Sequence, residues 1–345
     1  MRAAVLFGKH DLRIENLPPA EPGAGEVAVQ IAYGGICGSD LSYFTKGRVG
    51  DFTVNEPMVL GHEVSGTVAA VGDGVTNVKS GMRVAVNPSR PCLQCDYCRS
   101  GRGNLCRNMR FLGSAAVTPH VQGGFAETLI VRSDQCVAVP SDLSMRAASC
   151  GEPLSVALHA MRQAGNLLGK RVLISGAGPI GLMCVLAAVK AGATEVHSTD
   201  IVDAPLSVAK TLGAVTHNVG ANPAVLEPFA AGKGYFDVGF EASGAPSALA
   251  AHIRIVRPGG RIIQLGMLPP GDVPVPMNML QAQELELIGS FRFHEEFYVA
   301  VQGLATRQYD VSPILSAEFT LDKAHDAFEL AGDRTRALKV HIAFN

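Results

Sequence analysis

The sequence predicts an α/β protein in two parts: a doubly wound parallel sheet in the C-terminal half, preceded by a smaller, mostly antiparallel β domain. From Lys170 onward, short apolar strands alternate with helical stretches, the order that places helices on both faces of a parallel sheet. From Ala3 to Val71, runs such as AAVLF, VAVQIAY and VSGTVAAVG are separated by punctuation such as LPPAEPGAGE, which reads as hairpins and barrel-like turns. The length of 345 residues corresponds to about two domains, and 47% hydrophobic residues can fill two cores.

Taken in order, strand character continues through Met82 to Val86, is interrupted over residues 88–110, and returns from Phe125 to Val139. The segment Ala147 to Gly165 reads as helix. Arg171 to Ser175 (RVLIS) is a short apolar strand leading through a Gly-rich turn into the helical run LMCVLAAVKAG. EVHSTD is the next strand and LSVAKTLGA the next helix. Phe236 to Glu241, Ile262 to Leu265 and Leu285 to Ile288 are later strands, and the Pro- and Gly-rich Gly266 to Pro276 is a surface loop. SFRFHEEFYVAVQGLA suggests helix, and ALKVHIAF a final strand that returns to the first domain. The expected division is therefore 1–153 with 290–345, and 154–289.

Composition excludes several classes of function. The net charge is −2 and no basic cluster tracks along a face, which argues against nucleic acid as a partner. No apolar run approaches the roughly 20 residues of a membrane span, so a soluble protein is expected. Met1 to Phe7 carries Arg2 and runs directly into a strand pattern, without the form of a secretory leader. Eight cysteines without an export signal point to a reducing cytoplasm, as metal ligands or core residues.

Four of those cysteines, Cys92, Cys95, Cys98 and Cys106, follow the spacing C-x2-C-x2-C-x7-C. Thiolates repeated this closely on a flexible loop suit tetrahedral zinc at about 2.3 Å, in a closed structural site. The alternatives are a disulfide cluster, which needs an oxidising compartment, or four ordinary thiols.

Gly176-Ala177-Gly178-Pro179-Ile180-Gly181 has a strand before it, a helix after it, and Asp200 at 19 positions beyond the third glycine. That context marks a dinucleotide (Rossmann) loop. Gly176 makes the turn, Gly178 admits the pyrophosphate, Gly181 lets helix and strand pack, and the helix N-terminus faces the phosphates. Asp200 would accept both adenosine ribose hydroxyls and repel a 2′-phosphate. With Asp203 nearby and no compensating arginine beside Asp200, NAD is expected over NADP.

Three separated pieces could build a second metal site: Cys37 in GGICGSD, His62 with Glu63 in LGHEVSG, and Glu152 in CGEPLSVALHA. A catalytic zinc takes about three protein ligands and keeps one open position. Taken singly, a cysteine, a histidine and a glutamate before proline are each ordinary.

The words GICGSD, GHE, the four-cysteine lobe, GEPL and GAGPIG, in this order over nearly the whole chain, resemble the zinc-dependent medium-chain dehydrogenases, and within them the polyol branch. GGICGSDL, VLGHEV, NPSRPC, MRFLGSA, PHVQGGF and GSFRF resemble the members of that branch that oxidise sugar acids. The resemblance implies a GroES-like catalytic domain beside the nucleotide domain, one catalytic and one structural zinc per chain, and a homodimer or homotetramer. It implies that Cys37 and His62 bind zinc, with Glu63 and Glu152 of equal standing for the third position. His62 and Glu63 can both reach one ion only if the chain bends after Gly61. Asp40 would orient the histidine, and Ser39 would take the proton of a secondary alcohol whose hydride passes to the nicotinamide. Ser42 stands where many relatives carry a relay histidine.

A sugar acid needs its carboxylate paired, for which Arg292 and then Arg110 are the candidates. Tyr43 and Phe44 could line the pocket or belong to the core. The substrate class is thus a sugar acid or, alternatively, a neutral polyol such as sorbitol or xylitol. A noncatalytic zinc-containing binding protein is the reading from another class.

Overall fold

The structure, a computed structural model, describes residues 1–344 and divides into two compact units. The first comprises Met1–Glu152, Phe297–Asp333 and Lys339–Asn345; the second comprises Pro153–Glu296 and Arg334–Leu338.

The first unit is built on a seven-stranded sheet. Its spatial order is Cys136–Ala138, Arg83–Val86, Glu63–Val71, Glu26–Gly35, Lys339–Ala343 and Leu315–Thr320, with Thr128–Arg132 also paired to Glu26–Gly35. Pairing is antiparallel except between the last two strands. The C-terminal strand thus joins the sheet beside Gly34 and Gly35, through His341 and Ile342. A smaller sheet of Asp11–Asn16, Arg2–Gly8 and Met58–Val59 carries the fully buried Leu6 and Met58, and Phe44 and Phe125 both pack against Phe328. Residues 91–109 leave this framework as a lobe whose base is the antiparallel pair Ser89–Arg90 and Arg110–Phe111.

The second unit is a six-stranded parallel sheet. Numbered in chain order, Arg171–Ser175, Glu195–Asp200, Val215–Asn218, Phe236–Glu241, Val256–Gln264 and Glu286–Gly289 lie in the order 3-2-1-4-5-6. The order reverses at Arg171–Ser175, so the crevice beyond its carboxyl end is the place where such sheets bind ligands. The helix that follows, Pro179–Lys190, is buried at every residue from Gly181 to Ala188, as an all-round apolar helix must be. On the other side of the reversal, Phe236, Leu249, Ile253, Val256 and Ile262 form one apolar cluster with Leu173.

Two elements differ from the sequence expectation. The helix expected over Ala147 to Gly165 is two helices, Met145–Ala148 and Gly151–Ala164. Pro153 accounts for the break, because its ring would collide with the carbonyl of Ser149 in a continuous helix, while the first turn of a new one accepts it. The helix read from Ser290 onward begins only at Glu296. Arg292 ahead of it sits at φ 55°, outside helical space, and the Glu296 carboxylate accepts the His294 N–H at 2.8 Å.

Candidate metal and nucleotide sites

Cys37 follows the end of the strand Glu26–Gly35 by two residues and forms the N-cap of the helix Gly38–Lys46. His62 and Glu63 stand at the start of the strand Glu63–Val71. Between the two pieces lies Asp40, fully buried. Its Oδ2 accepts the Cys37 N–H at 2.9 Å, its Oδ1 accepts the Gly61 N–H at 3.2 Å, and Oδ1 lies 3.6 Å from His62 Nδ1. One carboxylate thereby fixes the backbone before each ligand and faces the histidine ring, which selects its metal-binding orientation.

The bend that neighbouring His62 and Glu63 require is present: Gly61 has φ 94°, and a Cβ there would overlap the Phe125 ring. Ligand atoms of Cys37, His62 and Glu63 all lie within 4.8 Å of one another. Among the described residues this set does not include Glu152, which sits buried in the first turn of Gly151–Ala164. Burial pushes the Glu152 carboxyl up to about 8, with His62 opposing that rise and Glu63 and Cys37 adding to it.

Lys339, on the last strand, is the functional residue that sequence reasoning missed. It is 1% exposed; its Nζ donates to Glu63 Oε1 at 2.6 Å and to the Ile36 carbonyl at 3.0 Å, and lies against Glu63 Oε2. Burial alone would lower its pKa, but Glu63 and the Cys37 thiol hold it raised, so it remains an ammonium. The available signal was a lysine inside the apolar run ALKVHIAF, where a charge needs a partner. Both Glu63 carboxylate oxygens are buried and turned to the Lys339 ammonium. A sulfur, a nitrogen and a carboxylate grouped this closely, with His62 and Glu63 buried and Cys37 half-buried, fit a zinc ion with a position left over. Burial, and then Glu63, push the Cys37 thiol up to about 11, so binding a metal there at neutral pH releases a proton.

The Ser39 side chain stands beside Cys37 and acts to lower its thiol pKa. Ser42, one turn on, donates instead to the Gly38 carbonyl at 3.0 Å. Tyr43 is 3% exposed, and its hydroxyl accepts the Ala115 N–H at 3.1 Å. Phe44 packs against Phe328 at 5.2 Å between ring centroids; both aromatics stand in the core. Phe111 meets the His62 ring at 5.5 Å, and strand alternation turns its exposed neighbour Arg110 the other way. Arg292 lies over the Phe291 ring at 4.9 Å in the second unit.

In the lobe, the four sulfurs also lie within 4.8 Å of one another, with Cys95 and Cys106 4.0 Å apart. Tetrahedral Zn–S bonds of about 2.3 Å require sulfurs roughly 3.8 Å apart. All four are free thiols. Cys106 Sγ accepts the N–H groups of Cys92 and Asn108 at 3.2 and 3.3 Å. Backbone N–H groups of Gln94 and Cys95 bring the Cys92 thiol down to about 6, whereas burial pushes Cys98 up to about 12. The donors are those of a closed structural zinc site.

In the second unit the glycines occupy the positions a dinucleotide needs. Gly176 has φ 90°; a Cβ on Gly181 would run into the Gly176 carbonyl; a Cβ on Gly178 would meet nothing, leaving the N-terminus of Pro179–Lys190 open to a phosphate. Pro179 and Ile180 open that helix. A cavity of about 490 Å³ runs from Gly176 past Thr199, Asp200 and Ile201 to Ala248. The expectation that no arginine attends Asp200 is corrected here. Arg334 reaches to 3.5 Å from Asp200 Oδ2 across 134 residues of chain, a proximity only folding creates.

A mixed-donor metal cluster in one unit and a dinucleotide crevice in the other define a metal-dependent, nucleotide-linked oxidoreductase. Residues 23–141 match the alcohol dehydrogenase GroES-like domain and residues 179–306 the zinc-binding dehydrogenase domain. The chain is 44% identical to "L-idonate 5-dehydrogenase (NAD(P)(+))" of Escherichia coli strain K12, over 92% of this chain and 91% of that protein. It is 35% identical to the sorbitol dehydrogenase of Bacillus subtilis strain 168, over 99% and 97%. The crystal structure of the E. coli L-idonate 5-dehydrogenase superposes with a TM-score of 0.94 at 40% identity, over 99% and 97%. The chain belongs to the zinc-binding dehydrogenase family, and it is a zinc- and NAD(P)-dependent enzyme. That excludes the noncatalytic reading.

Proposed function

We propose that this enzyme oxidises a secondary hydroxyl of a sugar acid to the ketone, with L-idonate to 5-ketogluconate as the specific reaction. The observation that carries the chemistry is the Cys37, His62 and Glu63 donor set, with ligand atoms all within 4.8 Å of one another; the substrate follows the relative that is 44% identical. Cys37, His62 and Glu63 would hold the zinc, with Glu152 facing it, and the four lobe cysteines the structural ion. When bound, zinc supplies Lewis acidity at the substrate hydroxyl and NAD(P) accepts the hydride.

The chain's own residues handle position and protons. Asp40 locks the backbone at Cys37 and Gly61, and Lys339 neutralises Glu63, so the donors are set before substrate arrives. Ser39, beside the Cys37 sulfur, takes the hydroxyl proton; Ser42, committed to the Gly38 carbonyl, does not extend the relay, so water carries the proton outward. Arg292 pairs the substrate carboxylate; Arg110, the second candidate, is turned away from the His62 side. Gly176, Gly178, Pro179, Ile180, Gly181 and Asp200 hold the nucleotide.

The strand Glu286–Gly289 ends its sheet with Leu287 39% exposed, an edge that favours pairing with a second copy as a homodimer or homotetramer. Among the described residues no helix is long and apolar enough to cross a membrane, and the free thiols suit a reducing cytoplasm.

A neutral polyol is the second reading, favoured by the likeness to sorbitol dehydrogenase. Initial rates on L-idonate, D-gluconate, sorbitol and xylitol with NAD and NADP separate the two. The expected kcat/KM for L-idonate exceeds that for sorbitol by about tenfold or more, since a paired carboxylate is worth at least one charged hydrogen bond, and Arg292→Ala removes the difference. Turnover confined to neutral polyols would overturn the sugar-acid reading.

A further inference from the structure

We propose that Arg334 governs the choice between NAD and NADP in this chain and lets it bind both; the proposal rests on the NAD(P)-dependent reading above. A carboxylate offers about four acceptor positions. Asp200, with a side chain only 2% exposed, has already committed most of them. Oδ1 accepts the N–H groups of Ile201 at 2.7 Å and Val202 at 3.1 Å, and Oδ2 accepts the Ala177 N–H at 2.8 Å. The remaining position on Oδ2 faces the Arg334 guanidinium at 3.5 Å. Asp200 can therefore accept one ribose hydroxyl without losing a backbone bond, and only when Arg334 gives way.

The same arrangement weakens the rejection of a 2′-phosphate. An unpaired carboxylate repels that dianion, but here a cation stands at Coulomb range from the carboxylate. Arg334 is 46% exposed, lines the cavity together with Gly176, Thr199 and Ile201, and lies at the edge of hydrogen-bonding distance. It can swing from Asp200 to a phosphate at little cost and grip it with two N–H groups. In NAD the ribose hydroxyl takes the position that Arg334 leaves; in NADP the phosphate takes Arg334 itself. Arg254 is the other arginine lining the cavity among the described residues, and it serves as the internal comparison.

The test is calorimetric binding of ADP-ribose and 2′-phospho-ADP-ribose to the intact protein, which needs neither substrate nor turnover. Wild type is expected to bind the two within about tenfold of each other. Arg334→Ala is expected to weaken the 2′-phosphorylated ligand by about tenfold or more, the scale of a lost charged hydrogen bond, while ADP-ribose stays within about threefold; Arg334→Lys restores part of the loss. Equal weakening of both ligands would overturn the proposal, as would a wild type that rejects the phosphorylated ligand by more than about a hundredfold. A preference that moves with Arg254→Ala and not with Arg334 would also overturn it. Failure of both ligands to bind wild type would sink the nucleotide site itself, and the proposal with it, whereas the sugar-acid panel fails or succeeds independently.

Discussion

The two metal sites of the first unit reach similar donor clusters by opposite routes. In the lobe, four ligands fall within 15 consecutive residues, and two antiparallel strands at its base close the loop. Backbone N–H groups orient the sulfurs, and nothing in the set is left over for chemistry. The other site draws Cys37, His62 and Glu63 from two segments and needs a third, the C-terminal strand, to supply Lys339. Among the described residues it gathers three donors rather than four. A contiguous site can be closed by its own loop. A dispersed one depends on buried charge pairs, and in return it leaves a coordination position unfilled.

Paired substitutions test that contrast most directly. Cys37→Ser is expected to lower turnover by at least a thousandfold, because loss of the Lewis acid removes several kcal/mol of barrier stabilisation, with thermal stability nearly unchanged. Cys98→Ser is expected to do the reverse, lowering the unfolding midpoint by roughly 5–10 °C through loss of a structural ion. Metal analysis should find one zinc per chain in each variant against two in wild type. If both variants lose activity and stability alike, the distinction between the sites fails.

Lys339→Met isolates the cost of dispersal. It strands the Glu63 charge in a buried setting, for which a loss of about 3–5 kcal/mol is expected, measurable by denaturant unfolding of the metal-free protein. A loss below about 1 kcal/mol would mean that Glu63 is held by other groups. A conservative Lys339→Arg change should recover part of it.

The smallest effect is a pH dependence belonging to the second unit. Glu296 is 7% exposed at its side chain, and although burial alone would raise its pKa, His159 at 3.1 Å and the His294 N–H hold it down to about 2. A depressed carboxyl contributes stability that is fully present above its unfolded value of about 4.5 and is lost as the pH falls towards 2, by at most about 3 kcal/mol. Urea midpoints measured from pH 6 to pH 3 should therefore fall more steeply in wild type than in Glu296→Gln.

The sequence by itself determined whatever lies along a continuous stretch. Strand and helix periods gave the parallel sheet, with Arg171–Ser175, Glu195–Asp200 and Phe236–Glu241 read to the residue. Cysteine spacing gave the lobe, and G-x-G-x-x-G in its setting gave the nucleotide loop. Helix starts were harder to place: Pro153 split one helix, and the left-handed Arg292 delayed another. Only the tertiary structure decided which charges meet. Lys339 reaches Glu63 across 276 residues, and Arg334 reaches Asp200 across 134. Hydrogen-bond geometry and hydrophobic period act between near neighbours in the chain and leave a pattern there, whereas Coulomb pairing acts through space: a lysine in an apolar run shows that a partner is needed, and only the packed strands show which.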